Sequence, residues 1–221
     1  MEKKLYVVIA FVAVSCIARA DNFYTNEASW DAAVSGITTV NFEGIVPTNS
    51  YTAYGGTPAS TTIGGVTLAA GPSAPSGEAL FLIGDSFYGF GKATISAQTA
   101  SGTIDLQVTL PSSVTAAGFD YFLSPGTYDV SLSDGGSSSF TTTANPIASG
   151  FFGVTDPTGF TSLDITIPYS TADESINLSD VSYATANPIS PAPEPGSWLL
   201  LGTLLGAFGL TIQRQRKQTI R

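Results

Sequence analysis

The 221-residue chain has no histidine and one cysteine, Cys16. Without histidine there is no Ser-His-Asp triad and no imidazole general base. Cys16 lies in an apolar stretch near the N-terminus, so the rest of the chain has no thiol nucleophile, thiolate metal site or disulfide. A zinc or copper site would lack its usual nitrogen and sulfur ligands. Basic residues are also scarce. Of the eight, Lys3, Lys4 and Arg19 fall in the first twenty positions, and Arg214, Arg216, Lys217 and Arg221 in the last eight. Between Asp21 and Pro193, Lys92 stands alone against fifteen carboxylates, which leaves a net charge of −14. Such a surface repels phosphate backbones and argues against nucleic acid as a partner. Lys92 ends a glycine-rich stretch, 84–91, but Ala93 follows it instead of Ser or Thr. That is no phosphate loop, and Lys92 reads as a surface lysine.

The ends carry what the middle lacks. Met1-Glu2-Lys3-Lys4 is a short basic segment, and 5–17 is a continuous apolar run. The run is short for a bilayer span. Ala18-Arg19-Ala20 supplies small residues at the spacing that signal peptidase requires, so 1–20 is expected to be a signal peptide. At the other end Ala192-Pro193-Glu194-Pro195-Gly196 precedes an apolar run at 198–212, and Gln213-Arg214-Gln215-Arg216-Lys217 closes it. Residues 195–212 are long enough to cross a thin bilayer as a helix. A basic tail favours the cytoplasmic side, and Trp198 sits where an interfacial aromatic belongs.

This order, Pro-Glu-Pro then a short hydrophobic helix then an Arg-rich tail, resembles the PEP-CTERM sorting domain of Gram-negative bacteria. The resemblance implies an exosortase substrate with Pro193, Glu194 and Pro195 as its sorting motif. It implies anchoring in the inner membrane before processing, then transfer to the outer surface or an extracellular matrix. The family is associated with exopolysaccharide and biofilm. The implied partners are signal peptidase, exosortase, the membrane and polysaccharide. The domain plan is a signal peptide at 1–20, a folded domain at 21–186 and a Pro-rich linker at 187–196. A transmembrane helix at 197–213 and a basic cytoplasmic tail at 214–221 complete it.

The folded part opens with Asn26 as an N-cap and Glu27 in the first turn of a short helix. Trp30 and Val34, four residues apart, share its buried face, and Gly36 stops it. The period then changes to two. Ile104, Leu106, Val108 and Leu110 alternate with polar residues, as do Tyr128, Val130 and Leu132, and Leu163, Ile165 and Ile167. Further strands are expected at 38–43, 61–69, 79–83, 94–98, 114–122, 138–143, 150–154 and 175–183. Turns are expected at Pro125-Gly126, Asp134-Gly135-Gly136 and Pro157-Thr158-Gly159. In the last strand Ile176 and Leu178 are in phase, but Val181 and Tyr183 are out of phase, so a bulge is expected at Ser179-Asp180. Many short strands and one helix predict a mainly β fold, a jelly-roll-like β-sandwich with one short N-terminal helix.

Thr39-Val40-Asn41-Phe42-Glu43-Gly44, Ile63-Gly64-Gly65-Val66-Thr67-Leu68, Thr115-Ala116-Ala117-Gly118-Phe119-Asp120, Phe151-Phe152-Gly153-Val154 and Asp180-Val181-Ser182-Tyr183-Ala184 resemble the β-sandwich domains attached to PEP-CTERM tails. They are similar to jelly-roll modules of the carbohydrate-binding type. In such modules acidic residues of the first and last strands share a structural calcium, and Glu43 and Asp180 match that pattern. Calcium, which takes oxygen ligands, is therefore the one cofactor expected. Phe87, Tyr88 and Phe90, and Tyr121 with Phe122, are candidate platforms for stacking a sugar ring. The function expected is a non-catalytic, exported surface or matrix protein with polysaccharide as candidate ligand. A secreted polysaccharide-cleaving enzyme stays open as the alternative, since a glycosidase needs only two carboxylates.

Overall fold

The alternation of apolar and polar residues sets the architecture. The computed structural model describes residues 21–143, 147–168 and 174–185. The expected signal peptide, the linker with Pro193, Glu194 and Pro195, the spanning helix and the basic tail lie outside the described residues. Among the described residues no helix is long and apolar enough to cross a membrane.

In chain order the elements are β1 (Asn22–Tyr24), α1 (Glu27–Ala33), β2 (Thr38–Asn41), β3 (Tyr51–Tyr54), β4 (Ser60–Ile63), β5 (Val66–Ala70) and β6 (Ala79–Ile83). Then come β7 (Thr94–Gln98), β8 (Thr103–Leu123), β9 (Gly126–Leu132), β10 (Ser137–Thr142), β11 (Ala148–Pro168) and β12 (Ile176–Ala184). The strands form one antiparallel ladder in the order β10-β9-β11-β8-β12-β7-β6-β3. Strand β1 adds to β11, β2 adds to β12, and the β4–β5 hairpin joins through β5 to β8. The ladder wraps into a β-sandwich around one core that draws on both long strands and their neighbours.

Several sequence expectations need correction. The segments 103–110 and 114–122 form a single strand, β8, and 150–154 and 163–167 likewise form β11. Pro157-Thr158-Gly159 is a bulge inside β11, not a turn, because the register against β8 jumps between Thr155 and Phe160. The cause is local. Asp156 Oδ1 accepts from the Thr158 backbone N–H at 2.7 Å, and Gly159 takes a positive φ of 84°. The chain loops out and rejoins the same ladder. A second shift, at Phe160/Ser162, leaves 110–113 of β8 unpaired with β11, and Pro111 falls there without needing a donor. Conversely, the segment 61–69 is two strands, since Gly64 and Gly65, with φ of 57° and 86°, make a tight hairpin turn between β4 and β5. The bulge expected at Ser179-Asp180 is present: Leu178 pairs with Tyr121 and Asp180 with Asp120, so Ser179 is the extra residue.

Phe151 and Phe152 point to opposite faces. Phe152 enters the core, with ring centroids 5.4 Å from Phe119, 4.9 Å from Phe140 and 6.0 Å from Phe23. Phe151 lies outside, beneath α1, 5.5 Å from Trp30. Asn26 caps the helix by accepting from the Ser29 N–H at 2.9 Å. Trp30 is buried as expected and donates Nε1–H to the Val154 carbonyl at 3.1 Å. The docking depends on a cross-strand glycine pair, Gly118 and Gly153. A Cβ at Gly153 would come within 2.7 Å of both Phe151 and Trp30.

Candidate functional site

An aromatic surface forms where β3, β6 and the 84–91 loop meet. Alternation turns Leu80 and Leu82 of β6 into the core and Phe81 outward. Cross-strand pairing puts Tyr51 beside Ile83, and Ala53 beside Phe81. The loop is held against the turn before β3 by backbone bonds. Gly84 N–H donates to the Ser50 carbonyl at 2.8 Å, and Asn49 N–H donates to the Asp85 carbonyl at 3.0 Å. Gly84 is required there, because a Cβ would overlap the Pro47 carbonyl. Turns at Ser86, Gly89 and Gly91, all with positive φ, then present Phe87 and Tyr88.

The rings run in a continuous series. Phe81 and Tyr51 are 5.9 Å apart, Tyr51 and Phe87 5.5 Å, Phe87 and Tyr88 4.9 Å, and Tyr88 and Phe90 5.6 Å. Phe90 stacks on Phe122 at 4.8 Å with a 7° interplanar angle. Tyr51 and Tyr88 are 54% and 55% exposed, far above what core packing would give. Tyr51, Phe81, Phe87 and Tyr88, with Ile83 and Gln98, line a shallow depression of about 230 Å³. Of the candidate platforms, the structure therefore brings Phe87, Tyr88, Phe90 and Phe122 together. Tyr121 is instead half-buried against Phe140, at 5.3 Å. Sequence reasoning missed Tyr51 and Phe81. The only signal for Tyr51 was a short run, 51–54, with no clear alternation.

The residues expected to hold calcium lie near one another but already have partners. Asp180 faces Asp120 across β12 and β8. Lys92 Nζ donates to Asp120 Oδ2 at 2.7 Å and to Asp180 Oδ2 at 2.8 Å. Glu43 Oε1 accepts from the Ala93 N–H at 2.9 Å, one residue from Lys92. Lys92 is thus a bridging cation and not a free surface lysine. Desolvation opposes its charge, but hydrogen bonds and attraction from Asp120 and Asp180 prevail and raise its pKa. An ammonium thus sits between Asp120 Oδ2 and Asp180 Oδ2, and a backbone N–H holds Glu43 Oε1.

A second carboxylate group joins Asp21, Asp134 and Asp156, with ligand atoms within 4.8 Å of one another. Its members are far apart in sequence, so no spacing could reveal it. Its oxygens also have donors: Asp134 accepts from Gly136 N–H at 3.1 Å, and the buried Asp156 from Thr158.

No protein-family model and no curated protein match the chain. Among solved structures it is similar to two mutants of the family 29 carbohydrate-binding module CBM29-2. The first is 14% identical, with a TM-score of 0.37, covering 62% of this chain and 93% of that one. The second is 11% identical, with a TM-score of 0.30, covering 72% and 99%. A cleaved adhesin domain of Lys-gingipain is 16% identical, with a TM-score of 0.27, covering 75% and 99%. Superpositions this partial transfer no ligand to this chain.

Proposed function

We propose that the chain is a non-catalytic exported surface or matrix protein whose β domain binds a neutral polysaccharide through Tyr51, Phe87 and Tyr88. The observation that carries this reading is the exposed series of rings around the 230 Å³ depression. A sugar presents an apolar C–H face to an aromatic ring and hydroxyls to its surroundings, and Tyr hydroxyls and the Gln98 amide lie at this surface. The net charge of −14 over 21–192 selects against anionic glycans. A jelly-roll-like wrap would carry such a platform on one edge of the sandwich, since β3 ends the ladder.

Tyr51→Ala and Tyr88→Ala are each expected to weaken binding about ten-fold, the loss of one stacked ring. Affinity electrophoresis of the full-length protein in gels containing neutral or anionic exopolysaccharides measures this. Retardation only by anionic glycans, or by none, goes against the reading. Release of reducing ends from any glycan would favour the cleaving enzyme instead.

Sorting rests on the two ends of the sequence. Deleting 193–221 is expected to release the domain as a soluble periplasmic or secreted species, read by cell fractionation. Full-length protein that stays cytoplasmic would sink the export reading.

A further inference from the structure

Away from the aromatic platform, the molecule buries two carboxyl groups beside each other. In β8 the alternation sends Ile104, Leu106 and Val108 into the core and Asp105 to the outer face. On an open face Asp105 would be solvated. Instead the segment 71–78 folds over it. Gly71 N–H donates to the Asp105 carbonyl at 2.7 Å, and Ser73 N–H to Asp105 Oδ2 at 2.7 Å. Asp105 N–H donates in turn to Glu78 Oε2 at 3.0 Å. Gly71 packs so closely that a Cβ there would overlap the Asp105 carboxylate. Asp105 is fully buried and Glu78 is 6% exposed.

Each carboxylate spends one oxygen on these bonds. The others, Glu78 Oε1 and Asp105 Oδ1, are buried without a hydrogen-bond partner. Leaving such groups uncompensated is costly. The lone lysine of the described residues is engaged with Asp120 and Asp180. Asp164, which accepts from Gln107 Nε2 at 2.9 Å, adds a further negative charge near Asp105. Burial pushes the Glu78 carboxyl up to about 7, with the Asp105 N–H opposing and the Asp105 charge adding to the rise. Glu78 also lines a cavity of about 610 Å³ with Gly71, Ser76, Gly77 and Gln107, and Asp105 lies behind it.

We propose that Glu78 and Asp105 hold a divalent cation of the calcium class, with Glu78 Oε1 and Asp105 Oδ1 as its carboxylate ligands. The donor set is oxygen only, which suits a hard cation that takes six to eight oxygen ligands, some from water and carbonyls. Binding pins the segment 71–78 to β8. The site is separate from the aromatic platform and from Glu43 and Asp180.

The test is thermal unfolding of the full-length protein at pH 7.5 in calcium chloride, magnesium chloride or EDTA. Calcium at a hundredfold excess over Kd is expected to raise Tm by about 5–10 °C, and EDTA to reverse it. Glu78→Gln and Asp105→Asn are expected to abolish the shift, whereas Asp180→Asn retains it. If neither variant folds, calorimetric titration of the wild type decides: one calcium per chain supports the site and none overturns it. A Tm indifferent to calcium and EDTA overturns it, as does a shift that survives both variants. A Tm that falls equally from pH 5 to pH 8 in calcium and in EDTA also overturns it, since the pair would then hold a shared proton.

Discussion

Phe152→Ala is expected to lower the folding free energy by about 4 kcal/mol, the typical cost of emptying a buried phenylalanine site. Phe152 is almost fully buried, and its ring touches those of Phe23, Phe119 and Phe140. Tyr128 continues the stack behind Phe140, at 5.5 Å. These rings come from β1, β8, β9, β10 and β11, and β1 is only three residues long. The neighbours cannot collapse into the gap without giving up stacking in several directions. Domains of this size are stable by only about 5–15 kcal/mol, so the loss is a large share of the total. Residues 21–185 contain no cysteine, hence no disulfide to offset it. Urea unfolding gives the value. A loss below about 1 kcal/mol would mean that the aromatic stack does not anchor the core.

Lys92→Met removes the one cation between Asp120 and Asp180. The two carboxylates face each other across the β8–β12 ladder, so without the ammonium they repel at close range. A fully buried pair broken this way would cost about 3–5 kcal/mol, but these side chains are partly exposed, so about 1–2 kcal/mol is expected. Urea unfolding of the variant at pH 7 gives the value, and a variant as stable as the wild type contradicts the bridging role. The same variant tests the calcium expectation at Glu43 and Asp180. In a Glu78→Gln background, calcium should stabilise Lys92→Met more than the lysine-containing protein, because the position between the carboxylates is then open.

Much of the architecture was legible because burial on one face enforces a period of two. The strands around Ile104, Val130 and Ile165 were readable for that reason, and so was the short helix that buries Trp30, although it ends at Ala33 and the buried Val34 caps it in extended conformation. The phase break between Leu178 and Val181 located the bulge at Ser179, since one extra residue flips every later side chain to the other face. The long strands were not legible. The gap between the strands expected at 104–110 and 114–122 and the turn expected at Pro157-Thr158-Gly159 are both bulges, after which the ladder resumes. The platform was half legible: glycines around Phe87 to Phe90 marked a loop, but Tyr51 reaches it only through the pairing of β3 with β6. The carboxylate sites needed the fold itself. Asp105 looked like an ordinary outward residue of an alternating strand, and only the segment 71–78 folding over it makes it buried. Lys92 looked solvated because Asp120 and Asp180 lie 28 and 88 residues away.

If the exposed rings bind sugar, their own NMR resonances report it. The full-length protein, labelled at Phe and Tyr, would be titrated with neutral oligosaccharides cut from exopolysaccharide. The expected result is saturable shifts in the ring signals of Tyr51, Phe87 and Tyr88, with Phe152 and Tyr128 unmoved as core controls. Shifts confined to other residues, or none at millimolar sugar across several neutral glycans, would contradict it.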